Sequence, residues 1–250
     1  MTFQQHLLGR VAADDVPCGV DALPDVPGLV RRDGLVDYRA SLELQAALRE
    51  DVVCAARGPS LLALEHPPVY TAGRRASRDE YPYDGTDVVP IERGGRLTWH
   101  GPGQLVVYIV GRLRNRTDAS GLVRGVEAAV IEVLRELGLG VDSVDGRSGA
   151  WLPADRRGPA RKVAAIGLAI RRGVTSHGVA VNCTNDLRPF GLIVPCGISD
   201  AGVGSFADAG LQDVTPAVLA PRLLDGLERR IGERYETVTS PLGRTRVVLA

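Results

Sequence analysis

The sequence predicts an α/β or α+β domain built on a mixed sheet with flanking helices. Strand-like and helix-like segments are mixed along the chain without strict βαβ alternation. The apolar run LVVYIVG at 105–111 is typical of a buried strand, and later stretches carry apolar stripes with helical spacing. A chain of 250 residues forms one large domain or two small ones, and either could bury a full core.

The first half of the chain begins with a segment that lacks periodicity. Residues 1–28 are rich in Asp, Pro and Gly, so we expect an extension with little regular structure. After Asp37, the stretch YRASLELQAALRE places Leu42, Ala46 and Leu48 with helical spacing. The short apolar strand LLALEH, a Pro-Pro turn and a second strand, VYTAGRR, follow.

Two further helices are predicted from their end signals. Asp118 can cap a long helix, which Gly138 would stop, and Thr215-Pro216 provides a cap followed by proline at the first position of the last helix. The apolar face of the helix that begins after Asp118 consists of Val123, Val126, Val130, Val133, Leu134 and Leu137. The apolar face of the helix that begins at Pro216 consists of Leu219, Leu223, Leu224, Leu227 and Ile231.

Composition excludes several classes of protein. Hydrophobic residues make up 44% and charged residues 24%, as in ordinary globular chains. Thirty basic residues balance thirty acidic ones, which argues against non-specific nucleic-acid binding. No apolar run approaches the roughly 20 residues that cross a bilayer, and the N-terminus lacks the apolar region of a signal peptide. We therefore expect a cytoplasmic protein without a membrane partner.

Lysine usage is unusual. Of the 30 basic residues, 29 are arginine and one, Lys162, is lysine. Coding bias could explain the general replacement, since the two residues are nearly equivalent on a solvated surface. They are not equivalent where an amine must lose a proton, because arginine stays charged. Lys162 is either a chance survivor or a residue with a chemical role.

The four cysteines show no metal-binding spacing. Cys18, Cys54, Cys183 and Cys196 form no C-x-x-C pair, so we expect neither a metal nor a disulfide. Cys18 is expected to be inert, and Cys54 and Cys183 are expected to be core residues. Cys196 lies in a Pro-Cys-Gly loop, which exposes its side chain, and is the candidate nucleophile.

A β-hairpin brings small residues next to Lys162. The segments KVAAIGLAI and VTSHGVAVN flank Arg171-Arg172-Gly173, a hairpin signal. A turn centred near Arg172 would pair Lys162 with Asn182, and the neighbours on that face would be Ala180, Gly178 and Ser176. Such a trough has room for an extended apolar ligand. The alternative is a sheet face covered by a bulky helix.

Four motifs in a fixed order resemble one family. They are RGGRLTWHGPGQ at 93–104, EHPPVYTAG at 65–73, KVAAIG at 162–167, and SHGVAVN…DL…F…IVPCGI from 176 to 198. This pattern resembles the lipoyl(octanoyl) transferases, over roughly residues 29 to 240. One departure is Trp99, where the family usually has tyrosine.

The resemblance implies a fold like that of the biotin and lipoate protein ligase catalytic domains. It also implies transfer of an octanoyl group from acyl carrier protein to a lysine of lipoyl domains, in 2-oxoacid dehydrogenases and the glycine-cleavage carrier protein. This is the first step of endogenous protein lipoylation, and it would need no cofactor. The domains would be an N-terminal extension (1–28), the acyltransferase catalytic domain (29–240) and a C-terminal tail (241–250).

The resemblance also assigns site residues. Cys196 would carry the acyl thioester and Lys162 would activate the thiol. The substrate site would be lined by Arg93, Gly94, Gly95, Arg96, Leu97, Thr98, Trp99, His100, Ala165, Ile166, Gly167, Gly178, Val179 and Ala180. His100 and His177 could orient a bound acyl group, or could be buried imidazoles bonded to the backbone.

The chemistry of these residue types agrees with that assignment. A thioester passes to another thiol at little cost in free energy, and attack by an amine is then downhill, so ATP is not needed. Glycines 94, 95, 101 and 103 would let backbone N–H groups approach a carbonyl oxygen. A phosphate-binding loop is the alternative, but GxxxxGK[ST] is absent and there is no second lysine.

Two rival functions remain. An ATP-dependent lipoate or biotin ligase would share the fold but would not require Cys196. A catalytically inactive carrier-binding module would use the trough only for docking, and would require neither Cys196 nor Lys162.

Overall fold

A computed structural model describes residues 5–7, 34–82, 85–193, 200–237 and 245–249. The strands, in chain order, are β1 (Gln5–Leu7), β2 (Ser60–Leu64), β3 (Val69–Ala72), β4 (Val88–Pro90), β5 (Leu97–His100), β6 (Gln104–Val110), β7 (Asp142–Val144), β8 (Arg147–Leu152), β9 (Arg161–Arg171), β10 (Val174–Asn182), β11 (Gly202–Val203) and β12 (Thr245–Leu249). The α-helices are α1 (Tyr38–Val53), α2 (Ala119–Glu136) and α3 (Pro216–Ile231), and short 3-10 helices span Arg78–Glu80, Arg188–Leu192 and Gly232–Arg234.

A mixed nine-stranded sheet forms the centre of the fold. Its strand order is β1-β12-β2-β6-β10-β9-β8-β7, with β11 paired to β9. The pairs β1·β12, β12·β2 and β11·β9 are parallel and the others are antiparallel. Helices α2 and α3 pack on one face of the sheet, and α1 packs on the other. The predicted fold class, a mixed sheet with flanking helices, is confirmed.

A second, three-stranded sheet adjoins the α1 side. Its order is β4-β3-β5, and its apolar side chains form a small cluster with Phe190 and Ile193. Strand β5 contains part of the glycine-rich motif, and its last residue, His100, stacks on Tyr38 of α1. The small sheet therefore places the glycine-rich motif at 93–104 next to the face of the main sheet on which α1 packs.

Helix α1 begins where the sequence predicts, but its buried face differs. Asp37 caps it by accepting a hydrogen bond from the Ala40 N–H. Leu44 and Leu48 are fully buried, whereas Leu42 is half-buried and Ala46 is exposed. The spacing from Leu44 to Leu48 is one turn, so the face that meets the sheet lies on that side of the helix.

Helices α2 and α3 have the predicted ends. The Asp118 carboxylate accepts from the Gly121 N–H at 2.8 Å, and Gly138 follows the last turn of α2 with φ of 88°. Thr215 caps α3, and Pro216 occupies its first turn. These local signals therefore determine where the two helices begin and where α2 ends.

The β9–β10 hairpin forms, but its predicted register is wrong by one residue. Arg171 pairs with Val174, so Arg172 and Gly173 alone make the turn, both with positive φ. Ala165 is opposite Ala180 and Gly167 is opposite Gly178, whereas a turn centred near Arg172 would pair Lys162 with Asn182. A two-residue turn is preferred because its twist matches that of the flanking strands.

Strands β1 and β12 lie outside the predicted catalytic domain of 29–240. Both belong to the main sheet, where β12 pairs with β1 and β2. The limits predicted for the extension, the catalytic domain and the tail remain predictions. Within the described residues, no helix has the length and apolarity needed to cross a bilayer.

Candidate active site

A cavity lies where strands β9 and β10 separate. Their ladder ends at the pair Ala164–Val181, and β9 then pairs with β11 through Arg161 and Lys162. The floor of the cavity contains Ala165 and Ala180, and Lys162 and Val203 line the same space. Of the small residues predicted for this floor, Ala180 lines the cavity, whereas Gly178 and Ser176 do not.

A β-bulge brings Lys162 to this face. In the β8–β9 ladder, Ala150 pairs with Ala164 but Trp151 pairs with Lys162, so Val163 is an extra residue. Side chains of a regular strand alternate, which would place Lys162 and Ala165 on opposite faces. Because the bulge inserts one residue, both line the cavity.

An aromatic ring holds the lysine amine. Lys162 Nζ lies 4.6 Å from the centroid of the Trp151 ring, whose Nε1–H donates to the Arg147 carbonyl at 3.1 Å. No carboxylate or hydrogen-bond partner of this amine is found among the residues that the structure describes. Contact with a ring face takes up none of the hydrogen-bonding positions of the amine, so these positions stay open to a ligand.

A chain of amides forms the polar wall of the cavity. The Gln104 amide donates to Asn182 Oδ1 at 2.8 Å and to the Trp99 carbonyl at 3.3 Å. The Asn182 amide donates to the Gly204 carbonyl at 3.0 Å, which ties β10 to the chain after β11. Gln104 Oε1 lies 2.6 Å from His100 Nδ1, so that nitrogen carries the hydrogen. Gln104 and Asn182 were not among the predicted site residues.

Behind this wall lies a cluster of buried histidines and tyrosines: Tyr38, His66, His100, Tyr108 and His177. Burial lowers the pKa of His66 to about 4, of His100 to about 3 and of His177 to about 4. Burial likewise raises the pKa of Tyr38 to about 12 and that of Tyr108 well above its usual value. All five side chains are therefore neutral at pH 7.

The hydrogen bonds of His66 define its tautomer. Its Nδ1 lies 2.7 Å from the Val36 carbonyl, which can only accept, so Nδ1 carries the hydrogen. Its Nε2, 2.7 Å from the Tyr108 hydroxyl, then accepts from that group. His66 thus acts as a buried structural link between the start of α1 and β6.

His177 has an unusual backbone. Its φ is 59°, in the left-handed region that non-glycine residues rarely adopt, and its N–H donates to Gln45 Oε1 of α1 at 2.7 Å. A Cβ on the next residue, Gly178, would lie 2.0 Å from the Val107 carbonyl oxygen, so glycine is needed there. A local distortion of β10 therefore lies directly before the family-derived site residues Gly178, Val179 and Ala180, and the His177 ring contacts Tyr108 edge-on.

Arg93 is buried in the same region. Its guanidinium donates to the Thr71 carbonyl at 3.1 Å, to Thr71 Oγ1 at 2.9 Å and to the Gly94 carbonyl at 3.0 Å. The Gly94 N–H in turn donates to the Leu168 carbonyl at 3.1 Å, which fixes the loop along the edge of β9. Arg93 therefore positions the glycine-rich loop from inside the protein.

The glycines of this loop are explained mainly by close packing. A Cβ on Gly101 would lie 2.2 Å from the Trp99 ring, and one on Gly103 would lie 2.6 Å from the Asn185 nitrogen. The N–H groups of Gly94 and Gly103 already donate, the latter to Glu65 Oε2 at 2.6 Å. These two N–H groups are thus not available to a substrate carbonyl oxygen in this structure.

The other predicted site residues are divided between the cavity and the core. Thr98 lines the cavity, whereas Leu97 and Trp99 belong to the cluster of the small sheet, where Trp99 contacts Phe190 edge-on. Arg96 is half exposed and pairs with Glu80. Gly95 contributes backbone alone, and its carbonyl accepts from the Arg75 N–H.

Two predicted residues lie on the opposite face of the sheet. Val179 is buried in the core formed with α2 and α3, and Ile166 packs against that core. The cavity is lined by Trp151, Phe190 and the chain at 201–203. These residues were not among the predicted substrate-site residues. Nothing in the pattern of residues 201–203 indicates a strand, because β11 is only two residues long.

Cys196 lies outside the described residues, as does Cys18. Cys183 is buried, as predicted, and burial raises the pKa of its thiol to about 12. Cys54 was expected in the core but is exposed, because it caps the end of α1 in a turn. Among the described residues, no group of histidine, cysteine and carboxylate side chains could hold a metal ion.

The buried histidines predict a pH-dependent stability. A histidine with a lower pKa in the folded protein than in the unfolded chain binds fewer protons when folded. The free energy of unfolding should therefore fall as pH drops below about 6.5, by about 1.4 kcal/mol per pH unit for each such imidazole, until the folded pKa is reached. Urea unfolding between pH 8 and pH 5 measures this slope.

His177→Asn provides the matched variant, since asparagine tolerates positive φ. It should reduce the slope by about one third, because one of three buried imidazoles is removed. An unchanged slope would contradict the assignment of His177 as a neutral buried group.

Comparison with known proteins identifies the family. The sequence profile of the lipoyl protein ligase A/B catalytic domain matches residues 37–228. An octanoyltransferase of Leifsonia xyli subsp. xyli is 49% identical over 197 residues, which are 79% of this chain and 88% of the relative. An octanoyltransferase of Salinispora tropica is 53% identical over 190 residues, which are 76% of this chain and 89% of the relative.

Solved structures share the fold at low sequence identity. A bi-partite lipoate protein ligase of Thermoplasma acidophilum gives a TM-score of 0.61 at 18% identity, covering 83% of this chain and 87% of that chain. Lipoate-protein ligase A bound with ATP gives 0.56 at 19% identity, covering 83% and 89%. From the match over residues 37–228 and these relatives, the chain belongs to the lipoyl protein ligase A/B catalytic-domain family.

Proposed function

We propose that this chain is an octanoyltransferase of protein lipoylation. It takes an octanoyl group from the thioester of acyl carrier protein and passes it to a lysine of a lipoyl domain, in 2-oxoacid dehydrogenases or the glycine-cleavage carrier protein. The observation that carries the proposal is the placement of Lys162. The one lysine of the chain lies in a cavity floored by alanines, against the Trp151 ring.

We assign the acyl-carrying thiol to Cys196. The described residues on either side of segment 194–199 support this, since Phe190 before it and Ala201 after it both line the cavity of Lys162. The other cysteines of the described chain do not line this cavity: Cys183 is in the core between the sheet and α2, and Cys54 follows α1.

In the first half-reaction, the Cys196 sulfur attacks the octanoyl carbonyl carbon as its thiol proton passes to Lys162. The carbon–sulfur bond to the carrier breaks, and the departing carrier thiolate receives the proton from Lys162. One thioester replaces another, so no external energy source is required.

In the second half-reaction, the lysine amine of the lipoyl domain attacks the Cys196 thioester. The amide bond forms, the carbon–sulfur bond to Cys196 breaks, and the amine loses a proton to Lys162, which can return it to the Cys196 thiolate. An amide is more stable than a thioester, so this step is downhill.

The alternative function is ATP-dependent ligation of lipoate. Its support is the fold shared with lipoate-protein ligase A bound with ATP. That enzyme class activates a free acid with a nucleotide, whereas the transferase uses an acyl group that is already activated. The requirement for ATP therefore separates the two functions.

We expect octanoyl transfer to proceed without nucleotide and without metal. The assay combines octanoyl-carrier protein, a lipoyl domain and the full chain, with apyrase to remove ATP and with excess chelator. Intact-mass spectrometry should show the lipoyl domain gaining one octanoyl group. Activity that appears only with free octanoate and ATP would assign the chain to the ligases.

Cys196→Ala should abolish transfer, because the thioester cannot form without the sulfur. The mass of the enzyme after incubation with octanoyl-carrier protein should show one acyl group in the parent chain and none in this variant. Cys54→Ala is the matched control, since that thiol is exposed and lies after α1, and Cys18→Ala and Cys183→Ala should also retain most activity. Near-normal turnover of Cys196→Ala would refute the covalent route.

Lys162→Arg should be nearly as damaging as Lys162→Ala, although it keeps the positive charge. Guanidinium does not give up a proton near neutral pH, so it cannot accept the proton of the thiol. We expect the rate of acyl-adduct formation to fall by about 10²–10⁴-fold in both variants, which is the usual size of a general-base contribution. Quenched-flow mass spectrometry measures that rate, and circular dichroism checks folding. Acylation of Lys162→Arg at the parental rate would show that a fixed charge is sufficient.

A further inference from the structure

The floor of small residues continues past the cavity but is covered there by Arg93. Ala165 and Ala180 face each other beneath the cavity, and the next pair on that face is Gly167 and Gly178. A Cβ built on Gly167 would lie 2.9 Å from Arg93 Cδ and 3.8 Å from Arg93 Cγ. The methylene stem of Arg93 thus occupies the space that the glycine leaves open.

This stem is fixed at its far end. The guanidinium donates hydrogen bonds to the Thr71 carbonyl, to Thr71 Oγ1 and to the Gly94 carbonyl, and the residue is 9% exposed. A charged group in a buried site cannot leave such partners without losing its hydrogen bonds and remaining desolvated. Arg93 therefore forms a fixed wall past the end of the cavity, with its apolar stem over Gly167 and its polar anchor behind the stem.

We propose that the stem of Arg93 is the end wall of the acyl site and determines the longest acyl chain that the enzyme accepts. The inference rests on the proposed function, which places the reacting carbonyl beside Lys162. The acyl chain then extends along β9, over Ala165 and toward Gly167. Its terminal methyl group meets the Arg93 stem.

The span of β9 between Lys162 and Gly167 is long enough for a medium-chain acyl group. From Lys162 to Gly167, strand β9 advances by roughly 13 Å, because the bulge takes up one of the five residue steps and each regular step is about 3.3 Å. Seven carbon–carbon bonds span roughly 8 Å, because three backbone bonds advance an extended peptide by about 3.5 Å.

A longer chain would have to displace the stem, and it would therefore pull the guanidinium away from the Thr71 and Gly94 oxygens. A shorter chain would leave apolar space unfilled next to the wall. In apolar sites, one extra or missing methylene group changes the ratio of kcat/KM between two substrates by about 10- to 200-fold. A fixed wall is therefore sufficient for chain-length selection.

The experiment is a competition among donors. Hexanoyl, octanoyl, decanoyl and dodecanoyl thioesters of the same carrier protein are mixed in equal amounts with the full chain, and the enzyme adducts are resolved by intact mass. The parent chain should carry mainly octanoyl. Arg93→Ala should raise the decanoyl-to-octanoyl adduct ratio by about tenfold or more. Gly167→Ala, whose methyl group would lie 2.9 Å from Arg93 Cδ and would push against the stem, should lower the octanoyl share of the adducts.

The control variant is Arg171→Ala. Arg171 is an exposed residue of β9, the strand that contains Gly167, and it pairs with Glu92 at the surface. The adduct profile of this variant should match that of the parent chain. If thermal unfolding shows that Arg93→Ala does not fold, Arg93→Met replaces it, since it keeps an apolar side chain but lacks the anchoring hydrogen bonds and should also admit decanoyl.

The outcomes separate the two proposals. Adducts whose chain-length profile is unchanged in the folded Arg93 and Gly167 variants would overturn the assignment of Arg93 as the end wall and leave the proposed function standing. No adduct on the parent chain with any donor would overturn the proposed function and this inference together.

Discussion

The candidate active site depends on the separation of two neighbouring strands. Strands β9 and β10 pair continuously from their turn to Ala164 and Val181, and then part. Backbone groups freed in this way need new partners, which β11 provides for β9, and the Phe206 N–H provides for β10 by donating to the Asn182 carbonyl at 3.2 Å. The cavity exists because these contacts hold the gap open.

A neutral, buried polar cluster supports this arrangement. His66, His100 and His177 have depressed pKa values because of burial, so the region contains hydrogen bonds without extra charge. Arg93 is a cation next to them, and the Thr71 and Gly94 oxygens hold its guanidinium. Such a network tolerates little change, since each buried polar group left without a partner destabilises the fold. This network therefore fixes the orientation of α1 and the small sheet relative to the main sheet.

The same fold serves two kinds of chemistry in this family. Relatives that are about half identical are octanoyltransferases, whereas lipoate protein ligases share the fold at under 20% identity. A fold does not by itself define a reaction, which depends on the groups in the site. Here those groups include a lysine held against a tryptophan ring, next to the described ends of the segment that carries Cys196.

The sequence by itself determined the features that depend on near neighbours. Asp118, Gly138 and Thr215 mark helix ends because capping and positive φ are local, and the order of the motifs indicated the family. Only the tertiary structure decided what depends on distant partners. Such features are the one-residue register of the hairpin, the bulge that turns Lys162 into the cavity, the roles of Gln104 and Asn182, and the burial of Arg93 over Gly167. Each results from packing between segments far apart in the chain, which periodicity within one segment does not encode.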